Sequence, residues 1–261
     1  MSAGTVPIGP TLVVALLGLT VAAAAVLRLS GVGRGRAVLT AAARATVQLG
    51  VVSLVIVAVL RAWWSTGAFI LLMYVVASVT ARRRIGPSCP RRVAPLAIAA
   101  GVVPSLGVLL VSRALPVTPL VVLPTAGILI GGAMTATSLA GRRTLDELRT
   151  RHGEYEAGLA LGLLPRDAAL EICRPAAGQA LIPALDQTRT VGLVTLPGAF
   201  VGVLLGGAGP LEAGATQLLI LITLLAVEAV AIALALELLV RARARTAPWA
   251  DRRLSRGRSA S

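Results

Sequence analysis

The sequence contains no lysine: all 25 of its basic residues are arginine. That excludes a lysine Schiff base, and it excludes a Walker A loop, whose Lys must reach the nucleotide phosphates. ATP binding and hydrolysis by that route are therefore not expected of this chain. It also has only two cysteines, Cys89 and Cys173, and one histidine, His152, all far apart. These supply neither a disulfide framework nor a zinc cluster of standard spacing, and Cys89, in Ser-Cys-Pro among arginines, reads as a loop thiol. Charge is scarce as well: 14% of residues are charged and 56% hydrophobic, whereas a soluble domain carries roughly 25% charged residues.

What is present in abundance is apolar sequence. Thr11 to Leu29 runs almost without interruption, and about 19 residues at about 1.5 Å each cross the ~30 Å hydrocarbon core. No basic region precedes this run, and Arg28, Arg34 and Arg36 follow it in place of a small-residue cleavage site, so it reads as a retained first helix and not a signal peptide. Further runs place apolar spans at residues 11–29, 37–60, 65–81, 93–112, 119–140, 190–207 and 216–240. The expected fold is all-α, a polytopic membrane protein of about seven transmembrane helices. A transmembrane domain is expected over 1–245, and a basic, Ser-rich, disordered tail over 246–261.

The arginines orient these spans. All but Arg44, Arg61 and Arg113 lie on alternate connections: after span 1, after span 3 (Arg82, Arg83, Arg84, Arg91, Arg92), between spans 5 and 6, and in the tail. The positive-inside rule then puts the N-terminus outside and the C-terminus in the cytoplasm of a cell-membrane protein, with Trp63 and Trp64 as outer interface anchors. The net charge of +14 is accounted for by topology and anionic lipid, without nucleic acid as a partner.

The longest connection, residues 141–189, patterns as amphipathic helix, with Leu145, Leu148, Tyr155, Leu159, Leu163, Ile172 and Leu181 set among charged residues. Within it, Glu156-Ala157-Gly158 is followed by three residues, Gly162, nine residues and Ile172-Cys173-Arg174-Pro175. This resembles the EAA loop of ABC transporter permeases, with Gly158 in place of the second alanine and Arg174 in place of leucine. Leu164-Pro165-Arg166-Asp167 supplies a break and a helix start.

More of the chain carries a second resemblance. Arg44-Ala45-Thr46-Val47-Gln48-Leu49, Leu123-Pro124-Thr125-Ala126-Gly127 with Gly131 and Ala133-Met134, and Ala180 to Gly198 including LIPALDQTRTVGLVTLPG resemble the FetB-type permease family. Those proteins are membrane subunits of iron-export ABC transporters, with plant relatives linked to aluminium tolerance. The chain departs from the family pattern at Gly132 and Glu228, which bears on substrate more than on fold.

The resemblance implies a homodimeric permease that works with a separate cytoplasmic ATPase subunit, exports iron or another metal or metal complex, and is not itself an enzyme. ATP would be bound on the partner, and this chain would bind no cofactor. Glu156, Ala157, Gly162, Arg166 and Asp167 are then the expected ATPase-coupling residues.

Candidates for a transport pathway or hinge follow from polarity and backbone irregularity in apolar spans. Charged groups at helix centres cost roughly 2.5–3.5 kcal/mol on insertion scales. Glu228 in span 7 should therefore face the bundle, paired or lining a pathway, whereas Glu237 near Arg241 reads as an interface residue. Arg44 either snorkels or forms a polar stripe with Gln48 one turn on. Pro124, Gly127, Gly131 and Gly132 in span 5, and Pro197, Gly198, Gly202, Gly206 and Gly207 in span 6, either open backbone carbonyls or allow close helix packing.

Asp186 to Thr190 is expected at the cytoplasmic mouth of span 6, with Asp186 and Arg189 able to pair. Thr195 and Pro197-Gly198 follow, where the span would bend. No cluster of His, Cys or carboxylates marks a strong metal site. The alternative reading is an ion-coupled secondary transporter that uses Glu228 and Arg44, although no internal repeat is visible.

Overall fold

The computed structural model describes residues 9–31, 33 and 35–246. Arg34 and the basic tail from residue 247, including its expected disorder, lie outside the described residues. Within these the chain is helical: α1 (Pro10–Leu29), α2 (Gly35–Leu60), α3 (Trp63–Ile85), α4 (Val93–Val111), α5 (Pro119–Thr150), α6 (His152–Ala160), α7 (Pro165–Gly178), a 3-10 turn at Gln179–Leu181, α8 (Ile182–Thr190), α9 (Gly198–Leu205) and α10 (Pro210–Thr246).

Six of these, α1 to α5 and α10, are long and apolar enough to cross a membrane. That agrees with a polytopic chain of about seven spans, except that the expected span over 190–207 is not one continuous helix. Helix α8 ends at Thr190, the chain has no helix from Val191 to Pro197, and α9 has only eight residues, about 12 Å.

The chain forms two compact units, residues 1–65 and 66–261. The first is a helical hairpin of α1 and α2. Its turn brings Gly35 so close to α1 that a Cβ there would lie 2.7 Å from the Ala24 carbonyl oxygen. Its outer surface is apolar and exposed, with Val14, Leu17, Leu19 and Leu54 open to the surroundings. At its other end the Ser65 hydroxyl donates to the carbonyls of Val59 (2.9 Å) and Ala62 (2.8 Å).

In the second unit, contacts at glycines set the helix directions. Met73 of α3 sits against Gly127 of α5, and Ile85 against Gly141, so α3 and α5 run parallel. Gly132 of α5 faces Leu224 and Glu228 of α10, and further along Ala136 and Ala140 share a core with Ile232 and Leu236, so α5 and α10 are also parallel. Helix α4 opposes them: Gly101 lies against Val227, while Val93 and Ala97, nearer its start, pack with Ala235 and Leu239.

Because α5 and α10 are parallel, the chain between them must return across the unit. Helix α8, the segment Val191–Pro197 and α9 make that return. The seventh crossing therefore exists as a broken passage.

Trp63 and Trp64 open α3, and Arg82 to Arg84 close it about 20 residues later, a separation of about 30 Å that matches a bilayer core. Through the Ile85–Gly141 contact, that basic boundary falls near residue 140 of α5 and near Leu236 of α10. Both helices continue beyond it. The protruding ends form the wall on which α7 packs through Ala169, Leu170, Cys173 and Ala177.

Candidate functional site

The connection expected to be a coupling segment is a helical hairpin at the basic end. Helix α6 buries no residue. The chain reverses at Gly162, whose φ of +92° suits glycine, and Pro165 occupies the first turn of α7 with Asp167 behind it. The turn exposes Leu161 (86% exposed), Leu163 and Leu164. Glu156 stands on α6 beside His152 at 3.6 Å, and both are open to solvent. Ala157 is exposed on the same helix. Arg151 pairs with Glu154 and, at 3.7 Å, with Glu147, and the Arg151 hydrogen bond holds the Glu154 carboxyl below its ordinary value.

Helix α7 is amphipathic in a way α6 is not. Its buried face includes Cys173, whose thiol donates to the Thr144 carbonyl at 3.6 Å. Burial first, and the Glu147 carboxylate second, push that thiol up to about 12, so it is a packing residue and not a nucleophile. Its other anchor is an ion cluster that sequence reasoning missed. Arg166 donates from Nε and Nη2 to the two carboxylate oxygens of Glu237, at 2.7 and 2.9 Å, and from Nη1 to Asp167 at 3.0 Å. Arg241 donates to Glu237 at 2.5 Å. Glu237 therefore clamps α7 to α10 at the basic boundary. Arg166 and Glu237 are 71 positions apart, so no local pattern could signal the pair.

Glu228 is buried, 7% exposed, and makes no hydrogen bond or ion pair among the described residues. Its Oε1 occupies the space over Gly132, where a Cβ would lie 2.7 Å away. Relative to the basic boundary near Leu236 it lies about two helical turns inside, roughly 12 Å, close to the middle of the span.

The other glycines divide sharply. Gly127 is filled by Met73 and Gly101 by the Val227 backbone, but Gly131, Gly198 and Gly202 have no neighbour within 4 Å. Pro124 lies inside an unbroken α5. In the first unit, Arg44 and Gln48 are exposed one turn apart on α2.

The polar cluster Asp186–Thr190 is on α8, not at the start of an apolar span. Since α8 follows a turn packed beside Ile232 and ends where Val191 and Gly192 meet Gly214–Leu221, the cluster has already entered the bilayer depth. Asp186 and Arg189 lie 3.8 Å apart, both exposed, a pair worth about a few tenths of a kcal/mol.

Beyond α8, the Gly192 N–H donates to the Thr195 carbonyl at 2.9 Å, and Pro197 caps α9. The first turn of α9 is satisfied from elsewhere: the Phe200 N–H donates to Gln217 Oε1 at 3.2 Å. Gln217 is a second residue the sequence reading missed, a lone glutamine in an apolar run. Among the described residues no group of three or more His, Cys, Asp or Glu is placed to hold a metal ion.

A six-helix apolar chain with a broken return passage and a helical hairpin at its basic end has identifiable relatives. The model of the family described as "Uncharacterised protein family (UPF0014)" matches residues 10–243, and the chain belongs to that family. It is 36% identical over 193 residues to "UPF0014 membrane protein STAR2" of Oryza sativa subsp. japonica, covering 72% of this chain and 67% of the relative. It is 35% identical to "UPF0014 membrane protein slr1647" of Synechocystis sp., covering 80% of this chain and 84% of the relative. To "Probable iron export permease protein FetB" of Escherichia coli it is 33% identical over 131 residues, about half of each chain. No solved structure matches it.

Proposed function

We propose that this chain is the permease subunit of an ABC-type exporter, driven by a separate cytoplasmic ATPase and working as a homodimer in the cell membrane. Its basic end, with the C-terminus, faces the cytoplasm and its N-terminus faces outside. The observation that carries this reading is the α6–α7 hairpin: an exposed leucine tip at Gly162, mounted at the arginine-rich end on a helix that is packed against α5 and ion-paired to α10. A partner groove that took Leu161 and Leu163 would push on α7, and the Arg166–Glu237 contact would pass that displacement to α10.

Glu156, Ala157, Gly162, Arg166 and Asp167 are then the coupling residues, Arg166 by its tie to α10 and the others at or beside the tip. The name of the Escherichia coli relative supports iron as the exported solute, and the positive-inside rule supports the orientation. Hydrolysis of ATP belongs to the partner, and no cofactor is assigned to this chain.

Co-expression with an ATPase subunit tests the reading. The two should co-purify, and Glu156→Arg or Gly162→Pro should abolish ATP hydrolysis stimulated by this chain. Transport by the purified chain alone in proteoliposomes, with no ATPase present, would overturn it.

A further inference from the structure

The passage from α8 to α9 leaves polar groups where a bilayer cannot satisfy them. The Leu193 and Val194 N–H groups donate to the Thr190 carbonyl at 3.3 and 2.9 Å. The carbonyls of Val191, Gly192, Leu193, Val194 and Leu196 receive no hydrogen bond among the described residues. Within the second unit the residues that carry them stand open: Leu193 is 91% and Val194 78% exposed. Just before the break, α8 presents Asp186, Gln187 and Arg189, all exposed. Irregular backbone at membrane depth is tolerated only against protein or a water-filled cavity. The exposed face of α3 at comparable depth shows the contrast: Leu71, Leu72, Val75 and Val76, a surface suited to lipid.

Behind the break is a cavity of about 300 Å³ lined by Val191, Gly192, Pro197, Phe200 and Gln217. Gln217 is 5% exposed; its oxygen caps α9, and its amide nitrogen makes no hydrogen bond among the described residues. The two half-helices do not present equal ends to this cavity. Helix α8 arrives with its carbonyl end, which favours positive charge, while the N–H end of α9 is already engaged by Gln217.

We infer that the passage Asp186–Phe200 is the water-exposed wall of the translocation path, and that its open carbonyls form a weak site for an oxygen-coordinated cation. Neutral oxygens hold such a cation loosely enough for it to leave, as passage requires. The inference rests on the permease reading but not on the ATPase.

Single cysteines test it in membranes that hold the full chain, in a Cys89→Ala, Cys173→Ala background. Gln187→Cys, Thr190→Cys and Val194→Cys should react with a charged, membrane-impermeant methanethiosulfonate at least about tenfold faster than the lipid-facing controls Leu72→Cys and Val76→Cys. Manganese(II), used as an oxygen-preferring probe, should slow the reaction at Val194→Cys, and inorganic phosphate should not.

Rates equal to the controls would mean that lipid or a dry contact with a second copy covers the break, and would overturn the path. Absence of manganese protection, or protection by phosphate, would overturn the cation site. No ATPase enters the assay, so failure of the ATPase to co-purify would remove the exporter reading alone.

Discussion

Two apolar stretches carry the same interruption, a proline followed by glycines, and fold differently. In α5, Pro124 precedes Gly127, Gly131 and Gly132, yet the helix runs unbroken from Pro119 to Thr150. Between α8 and α9, Pro197 precedes Gly198 and Gly202, and the helix is lost from Val191 to Pro197. The difference lies in the neighbours. Helix α5 has α3, α4, α7 and α10 around it, with Met73 over Gly127 and Leu224 over Gly132. Gly198 and Gly202 have nothing within 4 Å, and the break itself begins at Gly192, held at φ +81°. Packing compensates a missing hydrogen bond in the first case, and in the second the Gln217 cap on the Phe200 N–H does so only in part.

The largest effect is expected where a glycine is filled by backbone. Gly101→Val puts a Cβ 2.5 Å from the Val227 carbonyl oxygen, and with no side chain able to rotate away it should cost about 3 kcal/mol, read as a lower unfolding midpoint in detergent. Gly132→Ala meets only side-chain ends, so the loss should be nearer 1–2 kcal/mol. Leu224 Cδ1 makes a tighter contact with the added Cβ than Glu228 Oε1 does, so Leu224→Ala should recover more of the loss than Glu228→Ala, a non-additivity that double-mutant cycles measure.

Glu237→Gln weakens the clamp on Arg166. Partial exposure limits the stability cost to about 1 kcal/mol, while ATPase stimulation should fall further if the clamp transmits motion. Smallest of all is Gly202→Ala, expected within about 0.5 kcal/mol of neutral. Equal losses at Gly132→Ala and Gly202→Ala in the same unfolding assay would break the comparison.

Much of the architecture was legible in residue order alone. The long spans, the tryptophan and arginine markers at their ends, and the helix, glycine turn and second helix around Gly162 all depend on neighbours within a few residues, where length, charge and φ preference act directly. The Asp186–Arg189 pair is of the same kind. The broken passage was only half legible: Pro197-Gly198 announced an irregularity, but hydropathy averages over a window and cannot tell an apolar loop with a short helix from a membrane-length one.

What composition and order determined by themselves is that this chain must live in a bilayer, with its arginines gathered on alternate connections, and that it has no lysine with which to build a phosphate loop of its own. What only the tertiary structure decided is which polar groups are sealed and which are left open. Glu228 is shut in over Gly132, Glu237 is clamped to an arginine 71 residues away, and Gln217 is turned to cap α9. The carbonyls of Val191, Gly192, Leu193, Val194 and Leu196 are left without partners among the described residues. Burial and hydrogen-bond satisfaction depend on contacts between distant segments, and the parallel run of α5 and α10, itself set by Leu224 and Glu228 seated on Gly132 and by Ala136 and Ala140 packed with Ile232 and Leu236, is what forces the chain back through the passage where those carbonyls lie.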